Sequence, residues 1–170
     1  HARAITTMMG KPLAEARGEA KTMRARVEAL CRLAPSALAD EVLPESGAGF
    51  RRFIRLEPVG VVLDIAAWNY PLLVPMSVVA GAVLAGDAAL IKHAPQTALV
   101  GRQLADSFRE AGAPEGLVAD FMCTHADVAT ILDEGGVDQV AFTGSTRGGR
   151  EVYRVAARQN FVAVGLELGG

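Results

Sequence analysis

From residue 60 onward the chain is a succession of short apolar runs, each followed by a stretch with helical character. The runs are "GVVLDIAA", "AALIKHA", "GLVADFMCT", "QVAFTGS" and "FVAVGLEL". Runs of this length with little polar alternation read as strands covered on both faces. Strands joined through helices pair in parallel, because a parallel pair needs a long crossover connection. The expectation is therefore an α/β fold: a doubly wound parallel sheet of about five strands.

The helical stretches between these runs are legible in the same way. One spans Pro71 to Leu84. "QTALVGRQLADSFREAG" is amphipathic, with Leu99, Leu104 and Phe108 on its apolar side and Gly112 after its end. "ADVATILDEG" and "TRGGREVYRVAAR" follow the third and fourth runs. Ahead of the sheet, residues 1–33 read as helix. Ala16, Ala20, Met23, Val27 and Leu30 form its apolar stripe, and Pro35 is expected to end it. "LAPSALADEVLPESGAG" is a turn-rich connection, and "FRRFIRLEPVG" alternates like a half-exposed strand. The division is an N-terminal helical segment and connection, 1–49, and a sheet-bearing domain, 50–170.

Bulk properties exclude several classes. Half of the 170 residues are apolar and 21% are charged, enough for a sizeable core. A net charge of −2 lacks the basic face that nucleic acid requires. The longest apolar stretch, "YPLLVPMSVVAGAVLAG", is interrupted by prolines and glycines and suits a buried helix better than a membrane span. Cys31 and Cys123 stand far apart without metal-type spacing, and no secretory signal opens the chain. A reducing, cytoplasmic setting without membrane attachment is expected, and no metal site.

In a doubly wound sheet, ligands bind beyond the carboxyl ends of the strands. Residues there include Trp68 and Asn69, Lys92 and His93, Thr124 and His125, Thr143 to Arg147, and Glu167 onward. Asn69 suits an oxyanion donor or a simple cap. Lys92 could reach a ribose hydroxyl or phosphate, or be a solvated lysine. "GSTRGG" after a strand suits either phosphate binding at a helix N-terminus or plain capping by Ser145 or Thr146. Glu167 lies among apolar residues. Burying a carboxylate is costly, so it reads as a tuned general base or as a residue that the sheet edge leaves in water.

Taken in order, "ITTMMGKPLAEARGE", "EPVGVVLDIAAWNYPL", "GAVLAGDAALIKHAPQT", "EAGAPEGLV", "VAFTGSTRGGR" and "LELGG" strongly resemble the NAD(P)-dependent aldehyde dehydrogenase superfamily, over essentially the whole chain. The resemblance implies a Rossmann-like cofactor domain with N-terminal helices. It implies that Asn69 holds the oxyanion and that Glu167 activates the water that hydrolyses a thioester. Trp68, with Ala66 and Ala67 before it, would line the pyrophosphate region. Lys92 would reach the adenosine ribose, with His93 and Pro95 alongside. Gly144, Ser145 and Gly149 would approach the pyrophosphate, and Leu168 would adjoin the cofactor. The implied substrate is a small-molecule aldehyde, oxidised to an acid through a cysteine adduct, in a homodimer or homotetramer.

The sequence departs from the family pattern in ways that carry their own expectations. Neither cysteine matches the family's nucleophile, which follows E-L-G-G. The chain is therefore expected to be a fragment, inactive alone, of a full-length dehydrogenase. The alternatives are a non-catalytic dinucleotide-binding module or an acylating relative. Pro95 stands where many members carry a glutamate for the ribose hydroxyls. Its absence admits a 2′-phosphate, with His93 as an expected contact, so the cofactor is NAD or NADP.

Overall fold

The computed structural model describes residues 1–44, 49–158 and 162–169. Residues 45–48 of the connection, Phe161 of the last apolar run and Gly170 lie outside them. Helix α1 (Ala2–Met9) ends at Gly10, whose φ of 79° is the left-handed conformation that glycine tolerates best. Helix α2 (Leu13–Ala37) begins behind Pro12. The single N-terminal helix expected from the stripe is thus broken at Gly10–Pro12. Pro35 also does not end α2, which runs on to Ala37. A proline so near a C-terminus forfeits one hydrogen bond, and the Leu38 N–H still reaches the Ala34 carbonyl.

Strands β1 (Glu41–Val42) and β2 (Phe53–Ile54) form a short antiparallel pair. The expected half-exposed strand shrinks to Phe53 and Ile54, both exposed, with the Arg51 and Arg55 guanidinium groups over the Phe53 ring. Next come β3 (Val61–Ile65), α3 (Leu73–Ala85), β4 (Ala88–Lys92), a 3-10 turn (Pro95–Thr97), α4 (Ala98–Glu110) and β5 (Val118–Asp120). Then α5 (His125–Asp133), β6 (Gln139–Ser145), α6 (Thr146–Ala156) and β7 (Ala163–Gly169) complete the order. The five long-range strands pair in parallel in the order β5-β4-β3-β6-β7. Winding runs outward from β3 in one direction, then restarts at β6 in the other. The sheet is the doubly wound α/β layer expected from the sequence.

Each face of the sheet is covered by its own helices. Val62, Ala89 and Ile91 pack with Leu72, Met76, Val79, Val100 and Leu104 beneath α1–α4. Leu63, Ile65, Val140 and Phe142 pack with Val128 and Leu132 under α5 and α6. In α4 the inward residues are Val100, Gly101 and Leu104. Leu99, read as apolar-facing, is exposed, because the 3-10 turn ahead of the helix sets its phase. Among the described residues no helix is long and apolar enough to cross a membrane, and no group of metal-ligating side chains gathers.

One core residue violates the pattern. Asp64, in central strand β3, is fully buried, and both of its carboxylate oxygens lack a hydrogen-bond partner among the described residues. Burial pushes its carboxyl well above the usual carboxylate range. The folded chain therefore holds a proton that the unfolded chain releases above about pH 4. Stability tied to this group is intact below that pH and is lost as pH rises toward the folded value. Asn at this position keeps the shape without the ionisation. Asp64→Asn should gain stability relative to the parent as pH goes from 5 to 8, read by chemical denaturation at each pH.

Candidate functional site

The reversal of winding between β3 and β6 splays the following connections apart and leaves a crevice at their carboxyl ends. A cleft of about 1220 Å³ opens there. One wall is the segment after β3, Ala66 to Asn69, with Lys92 and Pro95 beyond β4. The other is the end of β6 and the start of α6, from Thr143 to Gly148. The floor is apolar, built from Ile65, Phe142, Val128 and Leu132. Register carries β7 to the same mouth, because Thr143 lies beside Glu167 and Gly144 beside Leu168.

Ten of the twelve sequence-predicted site residues line this one cleft: Ala66, Ala67, Trp68, Asn69, Lys92, Pro95, Gly144, Ser145, Glu167 and Leu168. Trp68 is not a core residue, for its indole is 51% exposed at the mouth. Lys92 is buried at the end of β4, and its ammonium has no hydrogen-bond or ion-pair partner among the described residues. A cation held in a cleft without an internal partner suits an incoming hydroxyl or phosphate oxygen. Ser145 caps α6, its Oγ accepting from the Gly148 N–H at 3.1 Å. Its hydroxyl hydrogen stays available as a donor. The first turn of α6 carries no acidic residue, so its N-terminal field favours an anion.

Two predicted residues do not belong to the cleft. His93 is buried and turned inward. Its Nε2 lies 2.8 Å from the Pro71 carbonyl, which can only accept, so Nε2 donates. Its Nδ1 lies 3.0 Å from the Thr97 hydroxyl. Burial is the main force holding its pKa below the usual value, so the ring is neutral and does not await a 2′-phosphate. Gly149 lies within α6 on its buried side, where a Cβ would come within 2.5 Å of a Leu168 methyl. It serves close helix–sheet packing. Gly144 has a comparable constraint, with the Phe142 ring 2.8 Å from where its Cβ would be.

Glu167 is exposed on strand β7 at the end of the sheet, so of the two sequence readings the one in which the sheet edge leaves it in water describes this chain. Its place at the cleft, not desolvation within this chain, is what distinguishes it. Cys123 lies in the connection after β5, half-buried, and burial pushes its thiol up, the opposite of an activated nucleophile. Cys31 is exposed on α2.

Some cleft residues escaped the sequence reading. Gln96, in the 3-10 turn after β4, and Glu151 of α6 were not singled out, and position after a strand is the signal that would have found Gln96. The most consequential omission is remote. Glu19 of α2 is almost wholly enclosed, its side chain 1% exposed. One of its oxygens accepts from the N–H groups of Leu72 and Leu73, at 2.8 and 3.2 Å, at the start of α3. The other pairs with the Lys11 ammonium, which also donates to the Asn69 carbonyl at 2.7 Å.

Fold and cleft together define a dinucleotide-type crevice in a doubly wound α/β layer, with a carboxamide and a carboxylate at its mouth. The chain belongs to the aldehyde dehydrogenase family, whose family model matches residues 1–170. It is 36% identical over 170 residues to 3,6-anhydro-alpha-L-galactose dehydrogenase of Streptomyces coelicolor, covering 99% of this chain and 34% of that protein. Among solved structures it is similar to a succinic semialdehyde dehydrogenase from Streptococcus pyogenes in complex with NADP+. That likeness has a TM-score of 0.91 at 29% identity and covers 99% of this chain and 36% of that one. An NAD-dependent aldehyde dehydrogenase from Sinorhizobium meliloti superposes with a TM-score of 0.92 at 34% identity, covering 99% of this chain and 34% of that one. The chain thus spans about a third of the length of the relatives it matches.

His93 separates packing from ligand contact. His93→Ala should cost about 1–3 kcal/mol of stability through the orphaned Pro71 carbonyl and Thr97 hydroxyl. It should leave the ratio of NADP+ to NAD+ affinities unchanged in parallel calorimetric titrations.

Proposed function

We propose that the whole protein carrying this chain oxidises an aldehyde to a carboxylic acid with NAD or NADP, and that residues 50–170 supply the cofactor-binding layer. The observation that carries the reading is convergence. Asn69 and Glu167 come from the ends of two strands on opposite sides of the winding reversal, yet they line one cleft with Lys92 and Ser145.

The residues present fit a dinucleotide. Lys92, buried and without a partner among the described residues, would hold ribose or phosphate oxygens. Ser145 and the N-terminus of α6 would hold the pyrophosphate. Trp68 would close one side. Bound there, the nicotinamide would accept a hydride from the substrate carbon. Relatives of both preferences are known by name, one structure holding NADP+ and another described as NAD-dependent. Pro95 at the ribose end places no carboxylate against a 2′-phosphate.

The nucleophile is proposed to be a cysteine outside this chain, since Cys31 and Cys123 lie away from the cleft. Its thiolate would add to the aldehyde. The Asn69 side chain has its Oδ1 engaged by the Tyr70 N–H at 3.0 Å, which leaves the amide nitrogen as the donor toward the developing oxyanion. After hydride loss a thioester remains. Glu167 would take a proton from water as that water attacks, and the acid and free thiol would leave. A water-activating base favours hydrolysis over transfer to another acceptor. The working assembly is proposed to be a homodimer or homotetramer.

The two polar residues act on different halves of the cycle, so pre-steady-state kinetics separates them. In the whole protein, Asn69→Ala should slow the burst of reduced cofactor by about 10²–10³-fold. Glu167→Gln should leave a burst of one equivalent and arrest turnover after it. A Glu167→Gln enzyme with normal turnover would remove the hydrolytic assignment.

A further inference from the structure

We propose that Lys11 and Glu19 are positioning residues for Asn69. The inference rests on the oxyanion role given to Asn69 above. Neither side chain lines the cleft, and both sit in the segment ahead of the sheet. Lys11 lies in the joint between α1 and α2, fixed by Gly10 before it and Pro12 after it. Its ammonium is 4.2 Å above the Tyr70 ring. It donates both to Glu19 and to the Asn69 carbonyl.

The arrangement grips the active-site connection from behind. Helix α3 has no side-chain cap of its own, and Glu19 supplies one from α2 by accepting from Leu72 and Leu73. Lys11, neutralised by the same carboxylate, holds the Asn69 carbonyl four peptide bonds before the Leu73 N–H. The backbone on either side of Tyr70 is thereby tied to one buried ion pair. With the Asn69 carbonyl held and Oδ1 bound to the Tyr70 N–H, the carboxamide plane is fixed with its nitrogen outward. An oxyanion donor works only when preorganised, and a misplacement of about 1 Å can cost 10²-fold. The pair therefore acts on the first half of the reaction and not on cofactor affinity.

The test is a double-mutant cycle in the whole protein, read by burst rate with a simple aldehyde and by separate NAD+ and NADP+ titrations. Lys11→Met keeps the side-chain stem and removes the charge. It should slow the burst by about ten- to a hundredfold while cofactor Kd stays within about twofold. In an Asn69→Ala background it should have little further effect, because there is no carboxamide left to orient. Glu19→Gln keeps an acceptor for α3 but not the countercharge, so it should give a smaller loss with the same dependence on Asn69. It provides the same test where Lys11→Met does not fold. Equal slowing in both backgrounds would mean a general structural role and would overturn the inference, as would no slowing at all. If Asn69→Ala itself leaves the burst unchanged, the oxyanion reading fails and the positioning role falls with it. If Asn69→Ala slows the burst and Lys11→Met does not, only the positioning role is lost.

Discussion

The reversal of winding between β3 and β6 is the constraint on which the rest of this molecule depends. Parallel neighbours force each connection to cross one face of the sheet, and reversing direction at one pair leaves the two following connections diverging. Everything that lines the cleft is positioned by that divergence. The apolar floor of Ile65 and Phe142 is the last pair in register between the two central strands. The polar rim is whatever the sequence places immediately afterward.

A second layer of control comes from outside the sheet. The α1–α2 pair packs against α3 through an apolar face, and through one buried carboxylate that caps it. A buried ion pair contributes little net stability, but removing one partner leaves the other uncompensated. The Lys11–Glu19 pair thus ties the segment ahead of the sheet to the loop that carries Asn69.

Much of this was legible in the sequence. Strand β6 coincides with "QVAFTGS", and the doubly wound parallel layer is expected from apolar runs alternating with helices. Ala66, Ala67 and Pro95 came with the family resemblance, while placing functional residues after strand ends gathered Trp68, Asn69, Lys92, Gly144, Ser145, Glu167 and Leu168 into one cleft, because that rule is geometric. It failed at His93, since two residues after a strand the chain enters a 3-10 turn that rotates the ring inward toward Pro71 and Thr97. Gly149, singled out from the glycine-rich turn, packs tightly against Leu168. For Glu167 the apolar neighbours leave burial and edge exposure both open, and its position on the last strand of the sheet decides for exposure. The Glu19–Lys11–Asn69 link joins residues more than fifty positions apart, and no local periodicity encodes such a contact.

The central claim is that the β3/β6 crevice receives a dinucleotide. Trp68 is half exposed at that crevice, so the part of the fluorescence that Trp68→Phe removes reports on the site without a label. Titration with NAD+ and with NADP+ should give a saturable change in Trp68 emission for at least one of them. Lys92→Ala should shift that curve to higher concentration. A Trp68 signal unmoved by either dinucleotide, from protein that is demonstrably folded, would contradict the account.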